Sequence, residues 1–126
     1  MSVDWRQLAA EASMHVDQTR IEITFGDLAR AQDIFVDDGF EDSIRLSSVV
    51  ARPSALPDPD VAVTSAWVRN RLSELVGFTI DRYGRMIGEA WVPKDGLTYD
   101  EFAFYVMLLA RGCDRFEYLL TGKDIS

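Results

Sequence analysis

The chain has 126 residues, with 13 Lys+Arg against 21 Asp+Glu for a formal charge of −8, one Cys and one His. One domain over residues 1–126 with a single hydrophobic core is expected at this length, and a 48% hydrophobic, 27% charged composition is that of a globular chain and not of a disordered one. The acidic balance argues against general nucleic-acid binding, which needs clustered Lys and Arg, and the lone Cys113 rules out an internal disulfide framework and a zinc ribbon alike.

In chain order, Trp5, Leu8, Ala9 and Ala12 recur at helical spacing, so Asp4 to Ser13 reads as a short amphipathic helix. From Thr19 the period becomes two: Ile21, Ile23 and Phe25 alternate with Glu22 and Thr24 as a half-buried strand, which Gly26-Asp27 ends. A second strand runs from Arg30 to Asp37 with Ile34 and Val36 on one face and Phe35 on the other, and Asp38-Gly39 signals a hairpin into a third strand, Ser43 to Ala51. Arg52 to Asp60 holds three of the four prolines and reads as a crossover loop, with Asp60 able to cap the next helix. In that helix Val61, Ser65, Val68, Leu72 and Leu75 line one stripe, broadened by Val63, Ala66 and Trp67, and Gly77 closes it. Phe78 to Asp81, a Tyr83-Gly84 turn and Met86 to Val92 form two more strands, stopped at Pro93 to Gly96.

Thr98-Tyr-Asp-Glu101 is a capping box. The following helix, Tyr99 to Ala110, is apolar nearly all round and is expected to be buried on more than one side. Gly112 interrupts it, and Asp114-Arg-Phe-Glu117 resembles a second box leading to Gly122. The expected fold is α+β, an antiparallel five-stranded sheet with helices in the order α-βββ-α-ββ-α.

The inventory of reactive groups is poor. His15 lies before the first strand, and Cys113 sits among apolar helical residues, where a free cysteine is ordinarily a small buried hydrophobe. The acidic run from Asp33 to Asp42 fails the calcium-loop template: Phe35 stands at the third position, and Ile44 at the twelfth, where a Glu is needed. Gly84 and Gly88 make no phosphate-binding loop. No catalytic residue, metal or cofactor is therefore expected. The N-terminus has no basic flank before an apolar segment, and Phe102 to Ala110 is far short of the ~20 residues that span a bilayer, so a soluble cytoplasmic protein with no membrane partner is expected.

The strand parity is more informative. If Met86, Ala90 and Val92 face the helices, then Ile87 and Trp91 face away, as do Phe35 and Val49, among Glu22, Thr24 and Arg45. A sheet face carrying Phe35, Val49, Ile87 and Trp91 is a candidate partner-binding surface, because contiguous exposed apolar area marks interfaces. Their adjacency depends on strand order, which periodicity does not specify. A second reading places a small-molecule pocket, for a sensor or an enzyme, between the sheet and the last helix, lined by Phe102, Tyr105 and Leu109.

One stretch, Trp67 to Leu120, carries a resemblance. A helix ending Arg69-Asn-Arg-Leu-Ser-Glu-Leu75 leads into Gly77-Phe-Thr-Ile-Asp-Arg-Tyr-Gly84, then Arg85-Met-Ile-Gly-Glu-Ala-Trp-Val-Pro93, then Leu97-Thr-Tyr-Asp-Glu-Phe102 and the closing helix. This pattern, together with the element order, resembles the YbjN-like proteins and, at the level of fold, the type III secretion chaperones of the Tir-chaperone class. Asn70 matches an Asn common in the central helix of that family. The resemblance implies a homodimer that binds extended segments of another protein and performs no catalysis, with Trp67 and Val68 as the helix-borne dimer contact.

Overall fold

The computed structural model describes residues 4–25, 30–56, 58–73 and 75–121. Helix α1 (Trp5–Glu11) is capped by Asp4, whose carboxylate accepts from the amides of Arg6 (3.1 Å) and Gln7 (3.4 Å). Ser13 at φ 61° turns the chain into β1 (His15–Asp17), which pairs with β2 (Arg20–Phe25) across a turn holding Gln18 at φ 56°. The sheet thus has six strands, one more than periodicity indicates. Three residues cannot display a period of two, and Gln18 adopts a left-handed conformation without the usual Gly or Asn signal.

Strands β3 (Arg30–Asp37), β4 (Ser43–Ala51), β5 (Gly77–Ile80) and β6 (Met86–Pro93) complete the order β1-β2-β3-β4-β6-β5, antiparallel at every step. The expected endings at Gly26-Asp27 and Gly122 lie outside the described residues. Between β3 and β4 the connection is a five-residue loop and not a tight Asp-Gly turn. Lys94 straps that loop down, its Nζ donating to the carbonyls of Asp38 (3.0 Å) and Phe40 (2.6 Å). In the β5–β6 hairpin Gly84 does supply the positive φ, 78°.

The core lies on one face of the sheet. Ile21, Ile34, Ile44, Leu46, Met86 and Val92 point inward from successive strands and are fully buried. Across them lies α3 (Tyr99–Thr121), burying Phe102, Val106, Leu109, Cys113 and Phe116, a single stripe at helical spacing. Its N-terminus carries the capping box: Glu101 N donates to Thr98 Oγ1 (3.3 Å), whose hydroxyl donates to Glu101 Oε1 (3.0 Å).

Contrary to expectation, α3 is one unbroken helix of 23 residues. A helical Gly costs about 1 kcal/mol relative to Ala, whereas burying a Leu or Phe side chain contributes about 1.5–3 kcal/mol, so the flanking Leu109 and Phe116 outweigh Gly112. Asp114 to Glu117 is accordingly helix interior, and Glu117 is buried. The close approach of α3 to the sheet falls at Gly88 on β6, where a Cβ would come 2.5 Å from Cys113 Sγ.

After the 3-10 turn at Pro53–Ala55, helix α2 (Pro59–Leu72) starts two residues earlier than expected. Asp58, not Asp60, is its cap, accepting from Asp60 N at 2.9 Å, and Pro59 takes the first turn, where a missing amide costs nothing. Among the described side chains of α2, only Ala62 and Ala66 are buried. The stripe of Val61, Val68 and Leu72 that patterning aims at a core is exposed instead.

Candidate protein-binding surfaces

Beside the packing of Ala62 and Ala66, a pair of hydrogen bonds from one side chain ties helix α2 to the edge of the sheet. Asn70 Nδ2 donates to the carbonyl of Phe78 (2.9 Å), and Phe78 N donates to Asn70 Oδ1 (2.7 Å). Its primary amide thus closes both main-chain groups of one β5 residue, as a neighbouring strand would. With the helix pinned there and, among its described side chains, only two alanines buried, the larger apolar residues remain outside: Trp67 is 59% and Leu72 73% exposed, and Val61, Val63 and Val68 are exposed too. Trp67 is overlaid by the Arg71 guanidinium, 5.0 Å from the ring centroid.

An open groove of about 480 Å³ runs between α2 and the end of α3, walled by Val61, Val68 and Leu72 on one side and Phe116, Leu119 and Leu120 on the other. A second hollow, about 350 Å³, lies where α2 meets β5 and α3, and Arg69 and Leu72 border both. The buried Arg69 Nε has no hydrogen-bond acceptor among the described residues.

The outer sheet face holds the four residues singled out by parity, arranged in two places. Val49 pairs with Ile87 in register, and Ile87 pairs on its other side with Thr79. Ile87 is only 9% exposed, so it points outward yet offers little surface. Phe35 (41% exposed) pairs with Ser47, and Trp91 (44% exposed) pairs with Arg45. Between these positions an Arg45–Glu89 ion pair at 2.8 Å and Ser47 interrupt the apolar area. Trp91 leans edge-on against Phe40 in the strapped loop, centroids 4.8 Å apart, and its Nε1 donates to Glu89 Oε1 at 3.3 Å. Toward β2 the face becomes charged: Arg20 binds Asp17 (3.0 Å), Asp33 (3.2 Å) and Glu22 (3.4 Å). The hydrogen bond to Asp17 and the charge of Asp33 raise the pKa of that guanidinium.

Phe35 and Val49 also border a cleft of about 640 Å³ between the lower ends of β3 and β4. There the buried Gln32 bridges the strands, its Nε2 donating to Ser48 Oγ (2.7 Å) and to the Val49 carbonyl (2.8 Å), while Ser48 Oγ donates to the Asp33 carbonyl (2.7 Å).

The reactive inventory is structurally placed. His15 is exposed on the edge strand β1. Cys113 is fully buried, and burial pushes its thiol up to about 12 despite hydrogen bonding with Ser48 and Gly88. Asp81 closes the β5–β6 hairpin, accepting from the amides of Tyr83 and Arg85 (2.9 Å each) and from Arg85 Nε (2.8 Å). Burial raises its pKa, but these donors outweigh burial and hold the carboxyl below its ordinary value. No group of three or more His, Cys, Asp and Glu among the described residues could hold a metal ion. Phe102 and Leu109, proposed as pocket walls, are fully buried in the core, with Tyr105 packed half-buried against it. None of the three cavities described above is lined by them.

This six-stranded antiparallel sheet, with α3 across one face and α2 on its edge, is similar in fold to YbjN and to several type III secretion chaperones. No family model and no curated protein matches the sequence. Among solved structures, YbjN from E. coli matches with a TM-score of 0.66 at 18% identity, over 90% of this chain and 85% of that one. The ExsC–ExsE complex matches with a TM-score of 0.63 at 16% identity, over 92% of each chain. The heterodimeric ExoU–SpcU complex from the type III secretion system of Pseudomonas aeruginosa matches with a TM-score of 0.59 at 17% identity, over 93% and 98%.

Proposed function

We propose that the chain is a non-enzymatic, chaperone-like protein-binding module of the cytoplasm that works as a homodimer. Trp67 and Val68 on α2 form the self-association face, and the outer sheet positions Phe35, Val49, Ile87 and Trp91 receive a segment of another protein. The observation that carries this reading is α2 itself, a helix that buries two alanines and leaves Val61, Trp67, Val68 and Leu72 in solvent. Exposed apolar surface on this scale is costly to maintain in a monomer and is characteristic of interfaces. ExsC–ExsE and ExoU–SpcU, which share the fold, are complexes of two proteins, and this supports a protein partner here.

Trp91 is the sheet residue best suited to anchor a partner. Its ring is exposed, rigidly buttressed by Phe40 and Glu89, and large enough to supply most of a small contact. Light scattering on the eluting protein tests the dimer, and capture of a partner from native lysate by wild type and by Trp91→Ala tests the sheet face. The reading requires a dimer at micromolar concentration, and weaker capture by Trp91→Ala with cooperative unfolding intact. A monomer, or equal capture by the variant, contradicts the corresponding part.

A further inference from the structure

We propose that the cleft between β3 and β4 binds a small zwitterion, a free amino acid or a short peptide. Its ammonium group lies at the inner wall beside Gln32 and Glu117, and its carboxylate at the rim beside Arg52 and Arg85. The cleft exists because the two strands part. They pair only where Phe35, Val36 and Asp37 face Ser47, Leu46 and Arg45, although β3 extends to Arg30 and β4 to Ala51. In the opening, two side chains take over from the ladder: Gln32 donates to the Val49 carbonyl and Ser48 to the Asp33 carbonyl. The opening of about 640 Å³ falls in the range of small-molecule sites, about 300–1,000 Å³.

Polar groups at core positions converge on this cleft. Gln32 shares its parity with Ile34 and Val36, Ser48 shares its own with Leu46 and Val50, and Glu117 stands beside Phe116 on α3. Among the described residues these three are the buried polar or charged side chains, and all three line the cleft. Departures from core patterning gathered in one place mark a functional site. Gln32 is 4% exposed; its Nε2 is used by Ser48 and Val49, and its Oε1 has no hydrogen-bond partner. An unsatisfied buried acceptor costs about 1–3 kcal/mol, which a ligand donor relieves. Ser48 already donates to Asp33, so the inner wall offers an amide oxygen and the carboxyl of Glu117, a set that fits the three donors of an ammonium.

The rim has the opposite sign. Arg52 is exposed and its side chain makes no hydrogen bond or ion pair among the described residues. Arg85 uses Nε and Nη2 on Asp81, 2.8 Å each, which leaves Nη1. The 3-10 turn and the β5–β6 hairpin touch, since a Cβ on Gly84 would lie 3.4 Å from Pro53 Cγ, and this contact keeps both arginines on one rim. Asp33, the acid at the mouth, is paired with Arg20 at 3.2 Å. On a chain of formal charge −8, two adjacent guanidiniums form a local positive site suited to a carboxylate.

Amide NMR of the isotope-labelled full chain tests this, with each proteinogenic L-amino acid and dialanine as probes. At least one probe should give saturable shifts at the Gln32 side-chain amide and along Ser48 to Arg52, with a Kd of about 1 mM or tighter. Blocking that probe's ammonium by N-acetylation, or its carboxylate as the amide, should each weaken binding about 10-fold or more. Arg52→Ala, at an exposed position, should remove the preference for the carboxylate over the amide. Glu117→Gln should remove the preference for the free ammonium; if circular dichroism shows it unfolded, Gln32→Met, which deletes the partnerless acceptor, is read instead for weaker binding. Dialanine binding more tightly than alanine identifies the occupant as a short peptide, and the reverse order identifies it as a free amino acid. No saturable shift with any probe, or an affinity indifferent to N-acetylation or to Arg52→Ala, overturns the proposal.

Discussion

Replacing Gly88 with alanine asks whether α3 sits where it does because one position of β6 has no side chain. The added Cβ would meet Cys113 Sγ at 2.5 Å, Phe78 Cε1 at 3.1 Å and Leu109 Cδ1 at 3.3 Å. All three neighbours are buried, and the shortest contact is to a side chain with a single rotatable bond, so relief requires α3 to lift from the sheet. Overpacking of a tight core costs about 1–3 kcal/mol, and restricting the unfolded chain returns about 0.4–1 kcal/mol, which leaves a net loss of about 1 kcal/mol.

Urea unfolding followed by tryptophan fluorescence measures this change, since Trp5 is buried in the native state. The second arm is Cys113→Ala, which removes the sulfur that the new methyl would strike. The double variant should therefore be more stable than the sum of the two single losses implies, by about 1–2 kcal/mol of coupling. A Gly88→Ala protein within about 0.5 kcal/mol of wild type, or strictly additive losses, would refute the packing argument.

The Cys113 thiol should resist Ellman's reagent in the native protein at pH 8 and react once the chain is denatured. Because its folded pKa is raised from 9.0 to about 12, its contribution to stability is complete below pH 9 and is lost as pH rises from there toward 12. Urea midpoints across that range should fall more steeply in wild type than in Cys113→Ala. Asn70→Asp should detach α2 from β5, because a carboxylate cannot donate to the Phe78 carbonyl; a loss of about 1–3 kcal/mol is expected, with amide exchange accelerating first in α2 and β5. Asp81→Asn should cost about 1–2 kcal/mol at pH 7, and since the folded carboxyl titrates below its ordinary value, the wild-type advantage should vanish as pH falls through that lowered pKa. Trp91→Ala should change stability by about 0.5–1.5 kcal/mol at most, the worth of its Phe40 contact, because the ring lies outside the core.

Much of the sheet is legible in the chain because a half-buried strand writes its face into alternate residues. Ile44, Leu46, Ser48 and Val50 of β4 are buried, and their neighbours Arg45, Ser47 and Val49 are not. The same parity puts Phe35, Ile87 and Trp91 on the outer side. It does not say how much of an outward side chain reaches solvent, which depends on cross-strand neighbours. Val49 and Thr79 flank Ile87, and the Arg45–Glu89 pair divides the surface, both consequences of β4 lying beside β6.

The faces of α2 were harder to read for a different reason. Apolar residues stand on both sides of it, so no stripe is unique, and the residues that turn inward, Ala62 and Ala66, carry the weakest hydrophobic signal. Asn70 shows the same limit from the polar side. Its partner is the main chain of Phe78, a residue without a polar side chain, so no pattern of residue types marks the contact. Gly112 illustrates tertiary override: a local breaker inside a stripe of buried Leu109, Cys113 and Phe116 stays helical.

The most direct test of the central claim, that the exposed apolar stripe of α2 is an interface, is the mass of the wild-type protein in solution. Sedimentation equilibrium across micromolar concentrations should find a species of twice the 14.2 kDa chain mass, shifting to 14.2 kDa when Val68 is replaced by glutamate. A 14.2 kDa wild-type species at every concentration, or a dimer indifferent to Val68→Glu, would contradict it.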